Sequence, residues 1–426
     1  MNRQEEQYRL YCEILADELR PAMGCTEPIA IAYAAAKARD ILGALPTSLS
    51  VEVSGNIIKN VKSVVVPNTG DMRGIEAAIA AGVIAGNSEN GLQVLAEVSD
   101  EELSAIRDYL IDTEIEIVCA STPCMLDITL HGFAGSDHAT VRIANNHTNI
   151  VYKAKNGEEL MNLPVTASAE DHLTDKSCLN VEDIIRFADT VPVELLEPIL
   201  EPQVRLNSAI AEEGLRGTWG AQIGKILMED YDGKDIKNEA KAWAAAGSDA
   251  RMSGCEMPVV ILSGSGNQGI TASLPVIRYA KRLDCTTEQL YRALAVSDLV
   301  TVHQKTGIGR LSAYCGAISA GVGAGAGICY LSGGGYTAVA HTIVNAVAIL
   351  SGTICDGAKP SCAAKIAAAV DAGIMGYRMY LHHKEFREGE GIVSGSVDST
   401  IKNVGILAQQ GMLQTDKTIL EIMQKK

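Results

Sequence analysis

Residues 310–356 read RLSAYCGAISAGVGAGAGICYLSGGGYTAVAHTIVNAVAILSGTICD, and between Arg310 and Asp356 there is no Asp, Glu, Lys or Arg. A run so empty of charge belongs either in lipid or at the centre of a protein. Lipid fits poorly. About half of the residues are Gly, Ala and Ser, whose transfer energies are small, the run breaks at SGGGY, and no basic cluster flanks it. The stretch therefore reads as a pair of helices buried on all sides, with small side chains that let neighbouring helices approach closely.

The helical period continues on both sides of it. Asn180 caps VEDIIRFADTV, and Val296 to His303, Ala338 to Leu350 and Cys362 to Leu381 repeat apolar residues at helical spacing, so the second half reads as all-α. Upstream the period shortens to two. Leu49, Val51 and Val53 alternate, Val64 to Val66 form a β-branched run, and Ile115, Ile117, Ile128, Leu130, Val141 and Ile143 add strand signals. Helices intervene at about Arg73 to Ala85 and after Ser99, where Ser99 and Glu102 make a capping box, and Asn156-Gly157 marks a tight turn. The first residues form two helices, Glu5 to Arg20 and Glu27 to Leu42, around PAMGCT, with Pro21 and Gly24 at the turn. A polar segment, ASAEDHLTDKS, separates the halves. The expected organisation is a helical segment 1–45 that packs on the C-terminal domain, an α+β domain 46–175, and a mostly α-helical domain 176–426 around buried Gly/Ala-rich central helices.

A chain of 426 residues leaves room for more than one core at roughly 150 residues per domain. With 47% hydrophobic and 21% charged residues it is globular, and only 4% aromatics imply cores packed by close backbone approach. Thirty-six basic against fifty-two acidic residues give a net charge of -16, which argues against nucleic acid and anionic membranes as partners. Eleven cysteines without regular spacing point to a reducing compartment. The first helix sets Tyr8, Tyr11, Cys12, Leu15 and Leu19 on one face with charges opposite, unlike an export signal, so a cytoplasmic location is expected. No fixed repeat is present, and a homo-oligomer is compatible with the sequence.

Several segments could carry chemistry. In GCTEP, Cys25 stands at the start of a helix, where the helix N-terminus is expected to lower a thiol's pKa. Cys315 and Cys355 bracket the charge-free stretch and Cys362 follows seven residues later. Three thiolates converging in a dry interior suit a soft, bulky inorganic centre; a zinc site would usually show a C-x-x-C pair, which is absent, though the wider spacings leave zinc open. Gly264, Gly266 and Gly269 spell G-x-G-x-x-G, with Asp284 downstream, but the flanks read helical rather than βαβ. The better reading is a loop in which Ser265, Gly266, Asn267 and Gln268 hold a small carboxylate. Arg251 in GSDARM suits a carboxylate clamp, Lys59 or His147 a base, and Glu27 an acid or base; His303 is a further polar candidate.

The whole chain resembles the L-cysteine desulfidase family, formerly an uncharacterised protein family, which is related to iron–sulfur L-serine dehydratases. The likeness is carried by GCTEPIAIA (24–32), SGNIIKN (54–60), NHTNIV (146–151), GLRGTWG (214–220), GSDARMSG (247–254), SGSGNQGITA (263–272), RLSAYCGA (310–317), GTICDGAKPSCAAK (352–365) and QTDKTILEIM (414–423). It implies a 4Fe-4S cluster on Cys25, Cys315 and Cys355, with Cys362 as the rival third ligand, and leaves the other seven cysteines structural. It also implies a small amino-acid substrate, with Thr26, Arg251 and the Ser265 to Gln268 loop binding it. The implied reaction is β-elimination on L-cysteine to sulfide, ammonia and pyruvate, the nearest alternative being L-serine dehydration on the same cluster. Two other classes remain: a pyridoxal phosphate lyase with Lys59 as the aldimine former, and a non-catalytic iron–sulfur redox or sulfide sensor.

Overall fold

The computed structural model describes residues 3–165, 174–230, 235–309 and 312–424, so most of the polar segment expected to separate the halves lies outside the described residues. The chain opens with α1 (Arg3–Glu18), β1 (Arg20–Met23) and α2 (Thr26–Leu42). There follow β2 (Ser48–Val53), α3 (Gly55–Val61), α4 (Gly74–Ile84), α5 (Asp100–Asp112), β3 (Glu114–Cys119), β4 (Asp127–Ala134), β5 (Asp137–Ala144), β6 (Ile150–Lys155) and β7 (Glu158–Asn162). Strands β2 to β7 form one mixed sheet in the order β3-β2-β4-β5-β6-β7, in which only β2 and β3 run parallel.

The alternation in the sequence explains the face that is covered. Leu49, Val51 and Val53 of β2, Ile128 and Leu130 of β4, and Val141 and Ile143 of β5 are buried in one core with α2 and α4, while the intervening residues leave the pleat on the other side. The β6–β7 hairpin turns on Asn156 and Gly157, both at positive φ (51° and 83°), as a two-residue turn of the I′ kind requires. Ser99 and Glu102 close the capping box of α5 as expected. Val64 to Val66 do not form a strand. They run between α3 and α4 with a single bridge, Val65 to Arg73, because no strand lies beside them.

The rest of the chain is α6 (Val181–Thr190), α7 (Val193–Arg216), α8 (Ile223–Glu229), α9 (Ile236–Met252), β8 (Pro258–Ile261), α10 (Gly266–Arg282), α11 (Thr287–Ile308), α12 (Gly316–Leu331), α13 (Tyr336–Ile349), α14 (Cys362–Leu381), α15 (Val397–Ile406) and α16 (Leu413–Gln424). The charge-free stretch is α12 and α13, and α12 is packed against α10, α11, α13 and α14. Its glycines are there for clearance: a Cβ on Gly321 would stand 2.4 Å from the carbonyl of Ala369, one on Gly325 2.5 Å from that of Gly373, and one on Gly323 2.5 Å from that of Ser297. Such overpacking costs about 1–3 kcal/mol per site. No helix among the described residues is long and apolar enough to cross a membrane.

Two expectations need correction. The second half is not purely helical, since β8 pairs antiparallel with β1, Arg20 opposite Ile261 and Met23 opposite Pro258. The stretch 1–45 also divides between two cores: α1 buries Tyr11, Ile14 and Leu15 with Phe187 of the helical half, whereas α2 buries Ile29, Ile31 and Ala35 against the sheet.

Candidate active site

The β1–β8 ribbon brings two distant helix starts together. It sets the beginning of α2, just after β1, beside the loop that leads from β8 into α10, and Thr26 Oγ1 donates to the Gly264 carbonyl across that junction at 3.0 Å. A second clip joins the ends of the charge-free stretch: Tyr314 bridges Ile354, Cys315 N–H donates to Thr353 O at 2.9 Å and Cys355 N–H to Ala313 O at 2.7 Å. Four helices therefore start at one cavity. Cys25, Ser265 and Cys315 are the N-caps of α2, α10 and α12, Cys362 is the first residue of α14 after its N-cap Ser361, and none of the four N-cap side chains bonds its helix's first-turn amides. Helix N-termini so arranged favour negative charge. The cavity has about 800 Å³, its open mouth included, and Cys25, Cys315, Cys355 and Cys362 all line it.

Charged and polar groups complete the wall. Arg251, from the last turn of α9, donates through Nη1 to Asn267 Oδ1 at 3.1 Å, while its Nε is buried without a hydrogen-bond partner. Gly266 is what admits it, because a Cβ there would lie 2.2 Å from that Nε. Gln268 Oε1, also on the cavity, is buried and unpartnered too. Glu27 is buried, accepting from Asn60 Nδ2 at 2.9 Å, from Cys25 Sγ at 3.0 Å and from Thr26 Oγ1 at 3.2 Å. Burial works against its charge, but the neighbouring His147, the bond from Cys25 and Arg251 outweigh it and hold the carboxyl below its usual range.

The thiols differ from the expectation. Burial first, then the charge of Glu27, push the Cys25 thiol well up, so the N-terminal position of α2 does not by itself produce a thiolate. The hydrogen bond between Cys315 and Cys355 pushes Cys315 up and pulls Cys355 down to about 6, the latter against burial and with help from the charge of Lys59. Burial raises Cys362. Among the described residues, no three His, Cys, Asp or Glu side chains converge as a single-ion site. The donors stand around the cavity rather than about one point.

Most of the residues singled out by the sequence meet here: Cys25, Glu27, His147, Arg251, Ser265, Asn267, Gln268, Cys315, Cys355 and Cys362 all line the cavity. Thr26 and Gly266 stand just behind the wall. Two candidates go elsewhere. Lys59 is buried in an ion pair with Asp416 of α16, and His303 faces Asp398 at 2.8 Å; neither lines the cavity. Lys59, the aldimine former of the pyridoxal phosphate reading, is thus paired with Asp416 outside the cavity lining. The G-x-G-x-x-G stretch does join a strand to a helix, but the strand belongs to a two-stranded antiparallel ribbon and not to a βαβ unit. Sequence reasoning missed Asn60, Ser263, Lys305, Ser312 and Tyr314, which also line the site. Asn60 lies in the SGNIIKN motif and could have been found there. Lys305, in the last turn of α11, carried no local signal.

Positions 89–421 match the sequence model of a family described as serine dehydratase alpha chain. The chain is 57% identical to a UPF0597 protein of Desulfitobacterium hafniense, over 99% of this chain and 98% of that one. It is 48% identical to a UPF0597 protein of Finegoldia magna, over 98% of this chain and 99% of that one. It is 45% identical to one of Treponema denticola over the full length of both.

Proposed function

The chain belongs to the serine dehydratase alpha chain family, and from that premise we propose that it is an iron–sulfur lyase that removes sulfide from L-cysteine without pyridoxal phosphate. The observation that carries the proposal is one cavity lined by four cysteines together with an arginine whose buried Nε has no partner. Several thiols on the wall of one cavity fit a 4Fe-4S cluster, in which each iron held by the protein takes a different cysteine. Cys25, Cys315 and Cys355 would hold it, with Cys362 as the alternative third ligand. When bound on three protein thiolates, such a cluster supplies a Lewis-acidic iron that polarises the substrate's β-substituent.

The chain's own residues do the rest. Arg251 takes the substrate carboxylate through Nε, its Nη1 anchored by Asn267, and the unsatisfied start of α10 adds a second attraction for the same charge. Gln268 Oε1 accepts from the substrate ammonium. His147 removes the α-proton, positioned by Glu27, whose own oxygens are fixed by Asn60 and Thr26. The C–H electron pair becomes the Cα–Cβ double bond, the Cβ–S bond breaks, and sulfide leaves with the Cβ–S bonding pair. The resulting 2-aminoacrylate tautomerises to an imine that water hydrolyses to pyruvate and ammonium, with no net redox change. Ile366, Ala358 and Ala317 give the cavity an apolar side that limits water during the proton transfer.

The family's description favours a second reading, dehydration of L-serine by the same groups. A sensor without turnover would leave Arg251 Nε and Gln268 Oε1 without a task. The test is anaerobic reconstitution with iron and sulfide, followed by separate addition of L-cysteine and L-serine with assays for sulfide and pyruvate. Sulfide and pyruvate in equal amounts from cysteine support the proposal. Pyruvate from serine alone replaces it with the second reading, and no product from either refutes both.

A further inference from the structure

The QTDKTILEIM stretch (414–423) has no part in the chemistry above, and no residue of α16, which it forms, lines the cavity. It lies instead on α3. The Lys59 ammonium pairs with the Asp416 carboxylate, Lys62 Nζ donates to Met423 O at 2.6 Å, and Gly55 leaves room for Leu420, since a Cβ on it would stand 2.4 Å from Leu420 Cδ1. Lys59 also touches the loop that follows Cys355. Gly357, at φ +99°, runs so close that a Cβ there would stand 2.2 Å from Lys59 O and 3.6 Å from Lys59 Cγ, and the next residue, Ala358, packs with Cys25 and Val64. The Lys59 side chain is only 1% exposed. A buried ion pair is a weak source of stability, because the desolvation of both charges offsets their attraction, so stability alone does not account for a lysine at this depth.

We propose that Lys59 is a positioning residue for Cys355: Asp416 of α16 holds its ammonium, its main chain supports the loop from Cys355 to Gly357, and its buried charge favours the sulfur as a negatively charged ligand. The inference rests on the iron–sulfur reading above. Lys59 acts through Cys355 and not on the substrate, which agrees with its place outside the cavity wall. In a poorly solvated interior a positive charge reaches a neighbouring sulfur with little screening. The Cys355 thiol responds accordingly: the hydrogen bond from Cys315 is the first cause that pulls it down, burial opposes, and the charge of Lys59 adds to the fall. The C-terminal helix thereby bears on the site through a single residue, and Asp416 sets how much of that residue's charge is left for the sulfur.

The test reads iron and reduction potential on the reconstituted full chain and needs no turnover. Lys59→Met removes the positive charge, and Asp416→Asn removes the negative one. Lys59→Met should hold iron roughly 10- to 100-fold less tightly than the parent, read as faster loss to a chelator, as happens when a group that supports a metal ligand is removed. The reduction potential should fall in Lys59→Met and rise in Asp416→Asn, because net charge near the ligands sets it. Opposite shifts are the mark of charge, whereas a pair that only held the helices together would move both variants the same way or neither. If Lys59→Met fails to fold, the sign of the shift in Asp416→Asn decides. A parent without iron refutes the cluster reading and this inference with it. A parent with full iron whose variants keep iron as well as it does, or whose potentials do not part in these directions, overturns this inference alone.

Discussion

Replacing Gly266 by alanine puts one methyl group between the main chain of α10 and the side chain that the proposed mechanism uses to hold the substrate. The added Cβ would sit 2.2 Å from Arg251 Nε, 2.7 Å from its Cζ and 2.8 Å from Val259 Cγ2. Val259 is fully buried in the helical core and cannot give way. The guanidinium must therefore retreat until the contact reaches the 3.4 Å at which ordinary packing begins, a displacement of about 1.2 Å. That movement breaks the 3.1 Å bond to Asn267 and takes Nε away from the carboxylate it is proposed to bind. A misplacement of about 1 Å at a positioning group costs about 100-fold in rate, which corresponds to about 3 kcal/mol of transition-state stabilisation. The assay is kcat/KM for pyruvate formation, with iron content and thermal midpoint measured on the same preparation. A folded Gly266→Ala protein with full iron and kcat/KM within twofold of the parent would refute the role given to Arg251.

Two further outcomes follow from other parts of the molecule. His147→Asn should lower kcat by about 10² to 10⁴ while leaving iron content intact; an effect confined to KM would remove His147 as the base. Asp298 in α11 is buried, receives Gln203 Nε2 at 3.0 Å and leaves Oδ2 unpartnered, and burial raises its carboxyl to about 7. A folded-state pKa above the unfolded one means that the unfolded chain ionises first, so this group lowers stability as pH rises from about 4 to about 7 and adds no further change above that. Asp298→Asn should therefore be more stable than the parent at pH 7.5, by at most about 4 kcal/mol, and nearly equal to it at pH 4. Urea titrations at the two pH values that give the same difference would contradict this.

Much of this architecture was legible because it was written locally. The absence of charge from α12 and α13, the alternation in β2, the Ser99 box and the Asn156-Gly157 turn each express their structure within a few residues. The four cavity cysteines were legible for a related reason: each stands in a small-residue setting, three of them, Cys25, Cys315 and Cys362, at a helix start. What escaped depends on distant partners. Strands β1 and β8 are four residues each and lie more than two hundred positions apart, so neither shows a period of its own. Lys59 reads as a candidate base in the sequence, and its ion pair with Asp416, at the far end of the chain, is invisible there. Cys25 occupies the expected place at its helix, but the depth of burial that sets its protonation is a property of the whole fold.

The account turns on whether Cys25, Cys315 and a third cysteine hold a cluster. Its most direct test is the iron and acid-labile sulfide content of the full chain after anaerobic reconstitution, measured beside Cys25→Ser and Cys315→Ser. The prediction is about four of each per chain in the parent, with a large loss in both variants and no elimination activity in either. A parent that turns over amino acid with no iron, or variants that keep the full complement, would contradict it.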